Sequence, residues 1–235
     1  MPLHVEQFRY GHDNLGYLVF GRSEAMAVDG GAWQEILGFA GRLGLKLLYV
    51  THTHLHHDHV EGSDRLLEKS GARLLGFQEL QDGSVIVLDG EPVRVYRTPG
   101  HSIDSVCFHA GRCLLTGDTL FTGTIGNCFS GNLRAFYESV RRLMALPGDT
   151  VIFPGHDYTE MAVSFARHLE PGNPELDAYI SRYEPGCVRS LLRDELNVNP
   201  YLRFNDPNII SILEERGLPV ESEWERWQSL MAIEE

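Results

Sequence analysis

L-K-L-L-Y-V at 45–50 runs almost directly into T-H-L-H-H-D-H at 53–59, and the junction of these two stretches decides what the chain must build. Leu45 to Val50 is apolar and too short for a helix of its own, so it reads as a buried strand. The strand then releases His54, His56, His57, Asp58 and His59, imidazoles and a hard carboxylate together. That donor set suits borderline divalent metals, zinc above all. On extended backbone, positions two apart share a face, so His54 and His56 can grip one ion while Asp58 and His59 turn toward a second. Starting the pattern at His52 would put His56 where the carboxylate belongs, so the frame from His54 is preferred. A His-rich tract can also bind metal without doing chemistry. An interior place behind a strand, with an aspartate inside the pattern, argues against that alternative.

The remainder of the chain sets bounds. Its 235 residues allow one large domain, or one domain with an appendage, and 43% hydrophobic residues supply a full core. A formal charge of −13 makes nucleic acid and anionic membrane poor partners. No apolar stretch approaches the ~20 residues of a membrane span, and the start M-P-L-H-V-E-Q-F lacks a secretion leader. Cys107, Cys113, Cys128 and Cys187 form no paired framework and read as reduced core thiols of a cytoplasmic protein. Cys128 lies near the candidate ligands in sequence, and packing is the first reading for it too.

Leu3 to Tyr10, Leu15 to Phe20 and Ala25 to Val28 read as strands, and Ala32 to Leu43 as an amphipathic helix. The metal run leads into a helix over Val60 to Ser70, with Gly62 either approaching the site or simply turning the chain. Short strands follow at Val85–Leu88, Val93–Thr98, Val106–His109 and Cys113–Thr116, then a helix over Leu133 to Leu146 and a last strand over Thr150 to Phe153. Beyond His156 every segment reads as helix: Met161–His168, Pro174–Tyr183, Val188–Leu196, Asn208–Arg216 and Glu223–Met231. This order predicts an α/β (α+β) fold of two facing sheets with helices outside. It divides into a catalytic part, 1–170, and a helical C-terminal region, 171–235.

Three more segments share one form, an apolar strand, a turn with Gly, and a metal-capable side chain: V-Y-R-T-P-G before His101, C-L-L-T-G before Asp118 and V-I-F-P-G before His156. Gly and Pro let the chain turn sharply and approach a ligand closely, and rigid strand ends are where functional loops concentrate. With the first run they supply five histidines and two aspartates.

T-H-L-H-H-D-H at 53–59, T-P-G-H-S at 98–102, T-G-D-T-L-F at 116–121 and G-H-D-Y-T at 155–159 together resemble the four motifs of the metallo-β-lactamase superfamily, and most of all those of glyoxalase II. E-P-G-N-P-E-L at 170–176 and N-P-Y-L-R at 199–203 resemble the C-terminal region of the same family. The resemblance implies a four-layer αβ/βα sandwich. It implies that His54, His56 and His101 hold one metal, that Asp58, His59 and His156 hold another, and that Asp118 bridges. The cofactors expected are two divalent metal ions, zinc first, with iron or manganese as alternatives. About 3.5–4 Å apart, two such ions share and activate one water, which Asp58 binds and orients while Asp118 fixes the spacing of the ions, for attack on a small-molecule thioester. Glutathione-linked thioesters lead that class. Within the loop T-I-G-N-C-F-S-G-N at 124–132, Asn127 and Phe129 stand where that family carries a basic residue and a tyrosine for glutathione. Tyr158 is kept, and the family's C-terminal basic cluster is reduced to Arg216. The metal chemistry is therefore expected more firmly than glutathione recognition. A mononuclear-iron persulfide dioxygenase and a lactonase are the alternatives on the same fold.

Overall fold

The computed structural model describes residues 2–233. Strands β1 (His4–Tyr10), β2 (Asn14–Phe20), β3 (Glu24–Val28), β4 (Lys46–Thr51) and β5 (Arg73–Leu74) form one sheet in that order. The second sheet is built from β6 (Val85–Leu88), β7 (Glu91–Arg97), β8 (Val106–Ala110), β9 (Cys113–Gly117), β10 (Val151–Pro154) and β11 (Ser190–Leu191), ordered β11-β10-β9-β8-β7-β6. The β3–β4 and β9–β10 pairs are parallel, and a parallel pair needs a crossover. Helix α1 (Trp33–Leu43) supplies the first and helix α4 (Leu133–Met144) the second.

Four layers follow from strands that are apolar on both faces. In β2, Tyr17 and Val19 face the inter-sheet core while Leu18 faces outward to a helix layer. β3 repeats this with Met26 and Val28 inward and Ala25 and Ala27 outward. Across the gap, Phe108, Leu115 and Phe153 point inward, and Cys107, Leu114 and Ile152 point out. The period of two along a strand thus assigns one residue set to each interface. Ile36 and Ala40 of α1 with Leu66 of α3 (Ser63–Ser70) cover the first sheet. Phe136 and Val140 of α4 cover the second together with C-terminal side chains such as Leu213 and Trp227.

Two expectations need correction. The helix expected over Val60 to Ser70 is two helices, α2 (His57–Val60) and α3, broken at Glu61-Gly62. Gly62 has φ +77° and packs so close to Gly30 that a Cβ would lie 2.6 Å from its carbonyl oxygen. Its role is thus a backbone turn between layers rather than an approach to the ligands. Strands also do not end at His156: β11 pairs antiparallel with β10, and only then does α7 (Leu192–Val198) begin. A two-residue strand carries no periodicity, so nothing in the sequence separated it from the helix behind it. Helices α5 (Thr159–Leu169), α6 (Glu175–Ile180), α8 (Pro207–Glu215) and α9 (Glu223–Met231) complete the chain.

Candidate metal centre

The ends of β4, β9 and β10 meet at one edge of the sandwich. Val106 N–H donates to the Thr53 carbonyl (2.8 Å) and Gly155 N–H to the Gly117 carbonyl (2.9 Å), which stitches the strand ends together. Gly155 has to be glycine, because a Cβ would lie 2.2 Å from Asp118 Oδ1 and 2.9 Å from His59 Cε1. Gly117 is likewise required: its φ is +49°, and a Cβ would lie 2.5 Å from Thr53 Oγ1.

All seven side chains singled out as metal ligands come together there. His56 Nδ1 stands 2.9 Å from His54 Nε2 and 3.0 Å from His101 Nε2. His59 Nε2 and His156 Nε2 are 3.1 Å apart, and Asp58 Oδ2 lies 3.6 Å from the former and 3.3 Å from the latter. Asp118 sits between the groups, with Oδ1 3.4 Å from His59 Nε2, and Oδ2 3.4 Å from His156 Nε2 and 3.5 Å from His101 Nε2. His54–His56–His101 and Asp58–His59–His156 therefore each form a group able to hold an ion.

Neighbours fix which nitrogen four of the five rings present. His59 Nδ1 donates to Asp29 Oδ2 (2.9 Å), His156 Nδ1 to Asp13 Oδ1 (3.0 Å) and His101 Nδ1 to the Asn127 carbonyl (3.0 Å). Thr53 Oγ1 gives its proton to Asp29 (2.7 Å), so it accepts from His54 Nδ1 at 3.1 Å. Each Nε2 then carries a lone pair in the neutral ring. Those lone pairs point at one another and at carboxylates, an arrangement that calls for positive charge between them. Asp118 Oδ1, buried and without a hydrogen bond among the described residues, makes the same demand. The donor set fits divalent metal.

Electrostatics agree with that demand. Burial, then repulsion from His59, holds His54 down at about 4. At His59 burial opposes the charge but is outweighed by Asp29 and Asp118, which raise it to about 11. Burial also works against the Asp118 anion, yet the His156 and His59 rings keep it well below the usual carboxylate range. Three of the orienting groups escaped the sequence reading. In the sequence Asp29 shows only as the first residue of the D-G-G turn at 29–31 that ends β3, yet it is fully buried and also accepts Thr53 N–H at 2.8 Å. Asp13 and Asn14 read in sequence as part of the G-H-D-N turn at 11–14, whereas Asn14 Nδ2 donates to Asp58 Oδ2 at 2.8 Å. The one available signal for Asp29 was an acidic residue at the end of the strand beside β4.

A cavity of about 420 Å³ opens over the cluster, with Asp58, His101, Asp118 and His156 on its floor. Phe129 lines it, 68% exposed, with its ring edge-on to His101 at 5.2 Å. Tyr158 lines the other side, stacked on His156 at 5.1 Å and 3°. Asn127 is on the wall as well, and it is the Asn127 backbone that holds His101. Arg216 is not brought to this cavity; it is exposed at the end of α8. His57 is exposed on α2, and His52 turns away to Ser63 Oγ at 2.7 Å. Cys128 is half-buried and packs against the core under α4. A smaller hollow of about 250 Å³ between Tyr179, Arg182 and Arg189 lies away from the cluster and includes none of its residues.

The sequence matches the family model described as metallo-beta-lactamase superfamily over residues 11–82 and 73–156, and the one described as hydroxyacylglutathione hydrolase C-terminus over 157–232. With its two sheets, its outer helices and its histidine-aspartate cluster, the chain belongs to the metallo-β-lactamase superfamily. Proteins named hydroxyacylglutathione hydrolase are similar over most of the length. One from Chromohalobacter salexigens is 33% identical over 212 residues, which is 83% of each chain. Another, from Gloeobacter violaceus, is 36% identical over 200 residues, 77% of this chain and 79% of that one. Within the superfamily the chain is accordingly a metal-dependent hydrolase of the glyoxalase II type. Among solved structures, ETHE1 from Myxococcus xanthus superposes with a TM-score of 0.68 at 23% identity, covering 96% of this chain and 99% of that one. The B3 metallo-β-lactamase BLEG-1 gives 0.65 at 19%, covering 85% and 99%. At those identities they report the shared fold. Among the described residues no helix is long and apolar enough to cross a membrane.

Proposed function

We propose that this protein hydrolyses a small-molecule thioester at a two-metal centre, with His54, His56 and His101 holding one ion, Asp58, His59 and His156 the other, and Asp118 between them. The observation that carries this is the convergence of ring lone pairs, four of them on His54, His59, His101 and His156, whose opposite nitrogens are tied to a fixed partner. When bound, divalent ions polarise a carbonyl and provide a nucleophile from water at neutral pH. Nitrogen with carboxylate oxygen favours zinc, with iron and manganese as the alternatives. The hydroxyacylglutathione hydrolase name of the relatives makes S-(hydroxyacyl)glutathione the first thioester to try.

The chain's own groups then have definable tasks. Asp58 is half-buried on the cavity floor, where Asn14 bonds its Oδ2 and Tyr10 OH donates to its carbonyl at 2.8 Å. Held so, its carboxylate accepts a proton from water at the cavity floor. Burial, then the carboxylates of Asp13 and Asp118, push the Tyr158 phenol up to about 12. The hydroxyl therefore stays protonated across the working range and donates to an oxygen of the substrate. Phe129 closes the side of His56 and His101 against water, its ring 5.8 Å and 5.2 Å from theirs.

Elemental analysis of the purified protein, run beside a thioester assay, tests the proposal. Two metal equivalents per chain and release of free thiol are expected. One iron per chain with oxygen consumption and no thioester cleavage would replace hydrolysis by persulfide oxidation.

A further inference from the structure

The hollow of about 250 Å³ beside β11 shares no residue with the metal centre, and Val151, Leu191, Tyr179 and Tyr183 give it apolar walls. The guanidiniums of Arg182 and Arg189 line it together with one carboxylate, that of Asp194. Arg182 lies 3.4 Å from Asp194, so those two charges offset each other. Arg189 is exposed and makes no ion pair or hydrogen bond among the described residues. The hollow therefore carries one uncompensated positive charge, in a molecule whose formal charge is −13. Most of its other polar groups are already engaged. Tyr179 OH donates to Glu195 at 2.5 Å, and Tyr183 OH (2.7 Å) and the Thr159 hydroxyl (3.0 Å) both donate to Asp157. Ser190 Oγ is the exception: it is buried at the wall and has no hydrogen-bond partner among the described residues.

A buried hydroxyl without a partner costs free energy until something bonds to it, and a ligand oxygen does so. A free guanidinium beside it presents a planar fork that matches a carboxylate. The two tyrosine rings, with Val151 and Leu191, add apolar surface that an inorganic anion leaves unused and an aromatic ring covers. Sites for drug-sized molecules run from about 300 to 1,000 Å³, so this smaller hollow suits a single ring. With one surplus cation and Asp194 at the wall, it suits one negative charge and not two. We infer that the hollow is a binding site for a small aromatic monocarboxylate, separate from the metal centre. The carboxylate lies between Arg189 and Ser190 Oγ, with Arg182 beside it, and the ring lies against Tyr183, Val151 and Leu191. The inference is independent of which thioester the metal centre cleaves.

The test is a fluorine NMR titration of the full-length, metal-loaded protein with para-fluorobenzoate at neutral pH. Saturable binding of one probe per chain is expected. Arg189→Gln should weaken it about tenfold or more, the effect of losing a charge-assisted bond, and Ser190→Ala should weaken it several-fold. Arg189 is exposed and unpaired, so its replacement leaves the fold intact, which an unchanged Tm confirms. The neutral amide of the same shape, para-fluorobenzamide, should bind at least tenfold more weakly than the acid. Carboxylates also bind metal ions, so Phe129→Ala, in the wall of the other cavity, serves as the control and should leave the affinity unchanged. No saturable binding at millimolar probe overturns the inference. So does an affinity that survives Arg189→Gln, or one that Phe129→Ala abolishes, which would move the probe to the metal centre. An amide that binds as tightly as the acid, or inorganic phosphate that displaces the probe at equal concentration, would overturn it as well, by removing the charge or the ring from what is recognised.

Discussion

Asp29 contributes no atom to either candidate ligand group, yet it bonds the His59 ring, the Thr53 hydroxyl and the Thr53 N–H, and through Thr53 it reaches His54. One buried carboxylate thus sets the tautomer of a ring in each group. Partners of this kind are worth about 10–100-fold in metal affinity. Asp29→Asn keeps the volume but replaces one acceptor oxygen by a donor, so titration with zinc and a competing chelator should show a loss of about that size. Asp118→Ala should empty both positions together, since its two oxygens face His59 on one side and His101 and His156 on the other. His57→Ala should bind both ions as before, because the ring is exposed on α2 and outside either group; a stoichiometry that falls there would show the frame from His54 to be off by a residue. The ligands were legible because a strand followed by closely spaced histidines is a local pattern. Asp29 and Asp13 were not, because what makes them matter is the pairing of β3 with β4 and of the β1–β2 turn with His156.

At the scale of elements, two polar contacts join pieces far apart in the chain. Asp89, in the β6–β7 turn, accepts Ser23 N–H (2.8 Å), Ser23 Oγ (2.7 Å) and Glu24 N–H (3.0 Å) from the β2–β3 turn, so it links one sheet to the other. Those bonds, led by the Ser23 backbone, lower its carboxyl from 3.8 to about 2. A carboxyl depressed by folding stabilises the fold above its unfolded value and stops doing so as pH falls through its folded one. The Tm gap between the unaltered protein and Asp89→Asn should therefore be full at pH 5 and close between about pH 4 and pH 2. A gap independent of pH would assign the contact to shape alone. The second contact is Glu195 of α7, fully buried, which accepts Gly123 N–H (2.9 Å), Tyr179 OH (2.5 Å) and Asn199 Nδ2 (3.2 Å). Asn199 in turn donates to the carbonyl of Thr124, on the cavity wall. Glu195→Ala orphans these donors, at about 3 kcal/mol in all, which lowers Tm by roughly 6–12 °C in a chain of this size. KM should rise alongside, as the 123–127 wall loosens, and Glu195→Gln should recover most of both. A single glutamate in a helical stretch gave no sign of this contact in the sequence, since its partner lies 72 residues away.

Across the whole molecule, the succession of most strands and helices along the chain was readable because central strands such as β2, β3 and β9 are apolar on both faces and each crossover helix is amphipathic. What chain order could not convey is how the 1–170 and 171–235 parts share a core. Trp227 of α9 is fully buried edge-on to Phe136 of α4, at 5.8 Å and 88°, in one cluster with Cys107, Leu114 and Ile152 of the second sheet. The outer face of that sheet is thus covered by α4 and by the C-terminal helices jointly, and Arg203 beyond α7 closes on Glu170 and Asp206. Stripping residues 171–235 would bare this surface and leave Glu170 without its guanidinium. The 1–170 fragment is therefore expected to aggregate rather than fold, and the full chain to unfold in one transition with coincident fluorescence and circular dichroism curves. Trp227→Ala should cost about 3–5 kcal/mol, and Trp227→Phe far less. The indole N–H has no hydrogen-bond partner among the described residues, so a benzyl ring gives up apolar contact but no bond. A stable 1–170 fragment with native-like circular dichroism, or a Trp227→Ala protein as stable as the original, would mean that the sheet holds its own outer face without the C-terminal helices.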